Sequence, residues 1–328
     1  MKKALSCLVI LALFIIPAGC QQQDDQDEKM QKVTVLLDWF PNTNHTGLYV
    51  AQELGYYEEA GLEVEIIQPA EGGTSQLIAS GQGDFGVSYQ EEVTIARSQD
   101  LPVVAIAAVI QHNTSGFASP VDRNINRPGD FEGKTYGGWG SPAETAMIKA
   151  LLDKYQGDIN KVNIINIGSA DFFTSMQRDI DFSWIYWGWT GIEAGLRNIE
   201  LNFIPIGDEI KALDFYTPVL IASEDKIAQD PDLISKFLQA TAKGYGFTIE
   251  SPEEAAGILL QKVPELDPEL VRASQQYLAG QYQAEAAAWG VMKPEVWKNY
   301  ADFMYENKLI EKNIESPKAF TNNFLPRQ

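Results

Sequence analysis

The spacing of apolar positions changes its period between Val33 and Ile67, in VTVLLDWFPNTNHTGLYVAQELGYYEEAGLEVEII. Val33, Val35 and Leu37 alternate, which predicts a strand, whereas Leu48, Ala51, Leu54 and Tyr57 recur every third residue, which predicts a helix. LEVEII returns to a strand. The polar loop FPNTNHTG therefore sits at a strand's carboxyl end, where open α/β sheets bind ligands. Further strands are expected at 84–88 and 103–109, with helices at 46–59, at 91–98 and just after Gly72-Gly73-Thr74. A second set has strands at 134–137, 162–167, 182–186 and 202–206 and helices at 142–155, 170–178 and 190–196. From Pro231 the pattern is almost wholly helical, at 231–250, 252–263, 268–279 and 294–307. Each of these begins with Pro, whose missing N–H breaks no bond in the first turn.

Two α/β sets followed by helices predict an α/β protein of two lobes. The body that follows the first thirty residues, about 300 residues long, is also near the size at which one core stops growing and a chain splits into lobes. The strand-like run 215–222 and the segment 112–119 are the expected crossings. Lobe I is then 32–116 plus 217–328, lobe II is the inserted 117–216, and a ligand cleft lies between them.

The first residues alter the picture of where such a body resides. Met1-Lys2-Lys3 precedes the apolar run Ala4–Ile16, which is shorter than the roughly 20 residues a spanning helix needs, so residues 1–19 read as a secretory signal. Ala18-Gly19-Cys20 is similar to a bacterial lipobox, with Pro17 where that pattern has an aliphatic residue. Cys20 is the expected lipidation site, and the polar, acidic segment 20–31 the tether that follows it. The only other cysteine, Cys7, lies in the signal, so disulfides and thiolate chemistry have no residues in the body. A formal net charge of -20 argues against nucleic acid as a partner.

Three constellations carry candidate chemistry. The first loop supplies Trp39, Asn42, Asn44 and His45, an aromatic face beside amide and imidazole groups. Gly137-Gly138-Trp139-Gly140-Ser141-Pro142-Ala143-Glu144 joins a strand to a helix, with Ser141 and Glu144 spaced as a capping box. Its backbone N–H groups could hold a ligand oxygen, or the glycines could simply make a turn. Phe182–Trp189 concentrates Trp184, Tyr186, Trp187 and Trp189, with Trp184 and Tyr186 on one strand face and Trp187 on the other. Burying so many N–H and O–H rings in one element favours at least one stacking on a ligand. Glu193, Glu91 and Glu92 could accept from an aminopyrimidine, or serve as first-turn acids favoured by the helix dipole. The two histidines, His45 and His112, lack neighbouring acids at metal-ligand spacing, and no catalytic signature emerges.

LDWFPNTNHTGLYVAQELGYYEEAGLEVEI, then GQGDFGVSYQEE, then YGGWGSPAE closely resemble the ThiY-type solute-binding proteins, lipoproteins of ABC importers that capture the formylaminopyrimidine precursor of thiamine. The resemblance implies a type II periplasmic-binding fold, a flat pyrimidine ligand, an ABC permease with its ATPase as partners, attachment to the membrane through Cys20, a monomer, no enzymatic activity and no cofactor. Carried onto this sequence it implies ligand contacts from Trp39, Asn42, His45, Tyr89, Glu91, Gly140, Ser141, Trp184, Tyr186, Trp187 and Glu193. The same superfamily holds a pyrimidine-synthesising enzyme with a Schiff-base lysine, a nearby histidine and a cysteine cluster. GVSYQEE has neither Lys nor His, and no Cys follows Cys20. A binder of hydroxymethylpyrimidine, another heterocycle or an alkylsulfonate remains the nearer alternative.

Overall fold

The structure, a computed structural model, describes residues 30–69 and 73–327, the side chain of Pro142 excepted. The expected signal, Cys20 and nearly all of the tether lie outside the described residues. β1 (Gln31–Leu36), β2 (Leu62–Ile67), β3 (Phe85–Ser88) and β4 (Val103–Ala108) lie where the sequence places strands. β5 (Ser115–Pro120), β6 (Thr135–Gly138), β7 (Asn163–Asn166), β8 (Ser183–Tyr186) and β9 (Leu201–Pro205) come next, and β10 is Val219–Ser223. The first sheet has the order β2-β1-β3-β10-β4, parallel from β2 to β3, with β10 antiparallel to both its neighbours. A second, antiparallel sheet has the order β8-β5-β9. The parallel pair β6-β7 joins it through a bridge between Tyr136 and Phe182.

Two sequence expectations shift. The segment 112–119 is a crossing only as far as residue 114. Phe117 and Ala118 are fully buried, so 115–120 becomes the central strand of the second sheet. The helix expected at 46–59 divides into Thr46–Glu53 and Tyr56–Glu59, because Gly55 has φ +74, a backbone conformation that ends the first helix.

Val33, Val35 and Leu37 are fully buried, as their alternation requires, and face Phe85, Tyr57 and the helix Pro231–Glu250. Phe237 stacks on Phe85 with ring centroids 4.0 Å apart. Each such buried ring contributes roughly 1.5–3 kcal/mol through the area it removes from water. Helix 231–250 crosses helix 46–53 where two glycines meet, since a Cβ on Gly244 would lie 2.1 Å from the Gly47 carbonyl oxygen. The edge strand β4 is fully buried because other chain segments cover it: Ala105 N–H donates to Ala319 O and Ala108 N–H to Gly290 O, each at 2.9 Å.

A second core gathers Phe117, Phe131, Tyr136 and Phe182 under helix Pro142–Lys154. Helix Pro294–Glu306 serves both cores, with Trp297 packed beneath the first sheet and Tyr300 and Met304 in the second cluster. The chain passes between the sheets twice, at 109–114 and 214–218, and the two passages are stitched side by side. Asn113 N–H donates to Asp214 Oδ1 at 3.0 Å, and Asn113 Nδ2 donates to Leu213 O at 2.9 Å.

Candidate ligand-binding site

The ends of β1, β3, β6 and β8 converge on a cavity of about 520 Å³ between the two sheets. From the first sheet's side it is lined by Asp38, Trp39, Asn42, Tyr89, Glu91 and Glu92. From the second come Trp139, Ser141, Trp184, Tyr186, Trp189 and Glu193, with Thr217 and Pro218 of a crossing between them. All four residues of β8 line the cavity, Trp184 and Tyr186 among them. Trp139 packs on Trp184 with centroids 5.4 Å apart, while Trp39 on the opposite wall is 49% exposed. The Trp184 Nε1–H is buried with no acceptor among the described residues. Aromatic faces thus approach the cavity from both sides, which suits a flat ring.

Three of the residues expected to touch ligand are held elsewhere. His45 is fully buried behind the first loop: its Nδ1 accepts the Asn42 N–H at 3.1 Å, so Nε2 carries the proton and donates to Asp38 Oδ1 at 2.7 Å. It orients Asp38, which does line the cavity. Trp187, the first residue of the π-helical turn after β8, lies off the cavity. Its ring lies 4.7 Å from Phe203 in a separate depression of about 230 Å³ beside His112 and Tyr277. Gly140, at a φ of +93, is absent from the wall, and its N–H donates to Glu144 Oε2.

Of the two readings of this motif, an anion-binding nest or a glycine turn, the N–H groups favour the turn, because they are already bonded. Glu144 Oε1 and Oε2 accept the N–H groups of Trp139, Gly140 and Ser141 at 3.1, 2.8 and 2.7 Å, and the Tyr136 hydroxyl at 2.5 Å. The capping box is present, but its carboxylate occupies the place a ligand oxygen would take. Asn42 reaches the cavity edge with its amide engaged locally, Oδ1 accepting from Asn44 N–H and Nδ2 donating to Phe40 O, both at 2.9 Å. Trp39, Tyr89, Glu91, Ser141, Trp184, Tyr186 and Glu193 all line it.

The cavity is acidic. Asp38, Glu91, Glu92, Asp171 and Glu193 line it, and no Lys, Arg or His does among the described residues. Burial, then the carboxylates of Glu144 and Glu92, push Glu91 up to about 7. Burial also raises Glu92, against the Ser88 hydroxyl and Ser75 N–H that donate to it. Tyr89 and Tyr186 are likewise raised, first by burial. The sequence reading omitted Asp38, Trp139, Trp189 and Phe172 from its site residues. Trp139 stood inside a motif already singled out. Trp189 reaches the cavity because Trp187–Gly191 forms a π-helical turn that breaks strand alternation. Asp171 and Phe172 come from the N-cap and first residue of the short helix Phe172–Met176, which the sequence marks as a helix but not as part of a site.

Two α/β lobes enclosing such a cavity at their strand ends define the type II periplasmic-binding fold. The chain superposes with a TM-score of 0.69 and 13% identity on the alkanesulfonate-binding protein SsuA of Xanthomonas axonopodis pv. citri bound to MOPS, covering 88% of this chain and 98% of that one. At that identity the likeness bears on the fold alone. The chain belongs to the NMT1/THI5-like family, whose sequence model matches residues 42–255. It is 28% identical over 329 residues, 98% of this chain and 99% of the relative, to a formylaminopyrimidine-binding protein of Halalkalibacterium halodurans. It is also 27% identical over 300 residues, 90% of this chain and 92% of the relative, to a 4-amino-5-hydroxymethyl-2-methylpyrimidine phosphate synthase of Legionella pneumophila.

Proposed function

We propose that the protein is the extracytoplasmic solute-binding component of an ABC importer and captures N-formyl-4-amino-5-aminomethyl-2-methylpyrimidine for thiamine salvage. The observation that carries this reading is the pairing of aromatic walls with carboxylate acceptors in a cavity lined by no cationic side chain among the described residues. A flat ring gains from the indoles, and its exocyclic amino group donates to a carboxylate more strongly than to a neutral amide. An alkylsulfonate would need N–H donors and positive charge, whereas the three N–H groups of the 139–141 turn are already taken by Glu144. Likeness along nearly its whole length to a formylaminopyrimidine-binding protein supports the same ligand.

Binding rather than catalysis is supported by the residues at the synthase-like position. Tyr89 follows β3 and Gln90 and Glu91 open the next helix, and among the described residues no lysine lines the cavity to form a Schiff base. The lobes divide within the crossings at 109–114 and 214–218 rather than at 116/117, since Ser115 and Gly116 pair with β8, and ligand stabilises a closed form that docks as a monomer on the permease. Cys20 anchors the protein in the membrane through its acyl chains.

Intrinsic tryptophan fluorescence, checked by calorimetry, tests the reading with the formylaminopyrimidine, hydroxymethylpyrimidine and an alkylsulfonate. Saturable one-to-one binding of the first, in preference to the others, is expected. A response to the sulfonate alone would refute it. Trp39→Ala or Glu193→Ala weakens binding by at least about tenfold with the fold retained, since each removes one face or acceptor of the ring.

A further inference from the structure

The five carboxylates that line the cavity are not equivalent. Asp38 Oδ1 accepts the His45 Nε2–H at 2.7 Å, Asp171 Oδ1 caps its helix by accepting Thr174 N–H at 2.8 Å, Glu92 is held by Ser88 and Ser75, and Glu193 pairs with Arg197. Glu91 alone among them makes no hydrogen bond or ion pair with the described residues. The groups that face it are all acidic or neutral: Glu92 on its own helix, Glu144 from helix 142–154, Tyr136 on β6, Tyr186 on β8 and Tyr300 on helix 294–306. A neutral ring closed over an ionised Glu91 would leave a desolvated carboxylate without a counter-charge, an arrangement folded proteins avoid by taking up a proton or a cation.

We infer that the cavity takes its ligand together with one proton, held between the Glu91 carboxyl and a ring nitrogen of a weakly basic heterocycle, so that the occupant is bound as the partner of a carboxylate–heterocyclium pair. This rests on the aminopyrimidine reading and adds the charge state to it. The proton balance is simple. Below about pH 7 the free site already carries the proton on Glu91, whose burial beside Glu144 and Glu92 raises it to about 7. Above that pH the proton must come from solvent as ligand enters. The indole faces of Trp184 and Trp39 then meet a ring with cationic character, a contact aromatic rings favour over a neutral one.

The test is calorimetry on the full chain with N-formyl-4-amino-5-aminomethyl-2-methylpyrimidine, run at about pH 8.5 in buffers of low and high ionisation enthalpy. Proton uptake approaching one per ligand is expected, with affinity falling up to about tenfold for each pH unit above 7. Glu91→Gln, which cannot ionise, abolishes the uptake and flattens that pH dependence. Pyrimidine binding with no proton uptake and constant affinity from pH 6 to 9 overturns the inference and leaves the aminopyrimidine reading standing. Failure of the pyrimidine to bind at any pH overturns both.

Discussion

Glu91 also makes a prediction that needs no ligand. Burial and the neighbouring carboxylates move it from the usual value of 4.5 to about 7 in the folded protein. Each pH unit between the two values is worth about 1.4 kcal/mol, so ionising Glu91 in the native state costs on the order of 3 kcal/mol. The folded state holds the proton more tightly than the unfolded chain, so the stability linked to Glu91 is complete below about pH 4.5 and drains away as pH rises through about 7. Glu91→Gln keeps the shape and has no proton to lose. It should match wild type at pH 4.5 and exceed it by 2–3 kcal/mol, to order of magnitude, at pH 8. Urea unfolding of both proteins at the two pH values, followed by tryptophan fluorescence, reads this as a midpoint difference that opens only at high pH. Equal midpoint differences at both pH values would refute the argument, because a packing or hydrogen-bond effect of the amide does not titrate.

Glu144→Ala strands the N–H groups of residues 139–141 and the Tyr136 hydroxyl, so it should lower stability by about 3 kcal/mol and weaken ligand binding through the loosened Trp139 wall. Unchanged binding in a fluorescence titration would mean the turn holds its own shape. Gly244→Ala drives a methyl into the Gly47 carbonyl and should destabilise by about 2 kcal/mol or more in a thermal melt, while Gly246→Ala on the same helix, where a Cβ meets open space, does not. At the crossings, partial burial lowers His112, but Glu285 at 2.9 Å and Asp214 at 2.8 Å outweigh it and raise the imidazole above its usual 6.5. The stability His112 adds is thus full below about pH 6.5 and is lost as pH rises through the higher folded value. The ring is 44% exposed, so solvent screening keeps the effect well under about 1 kcal/mol, and a His112→Gln comparison at pH 5.5 and 8.5 should show a small difference at the lower pH only.

Local chemistry made much of this protein legible from its residues alone. Apolar alternation at Val33, Val35 and Leu37, the helical spacing after Leu48 and the four Pro-initiated helices depend on neighbours a few positions apart, and all appear in the structure at or near their expected ends. Trp184 and Tyr186 line the cavity and Trp187 does not, but Trp187 lies beyond β8 in the π-helical turn and Ser183 and Ile185 line the cavity too, so strand alternation is not what separates them. Which of these side chains meets a ligand was a different matter. Ser141 and Glu144 announced a cap, but that Glu144 also fills the turn's N–H cluster follows from the positive φ of Gly140 and the approach of Tyr136 from the strand before it. His45 and Asp38 lie seven positions apart, and only the folded loop turns one into the support of the other. The isolation of Glu91 is the clearest case. No pattern along the chain distinguishes it from Glu92, because its charge state is decided by what β6, β8 and two distant helices bring to its surroundings, and burial and Coulomb interactions act through space rather than along the sequence.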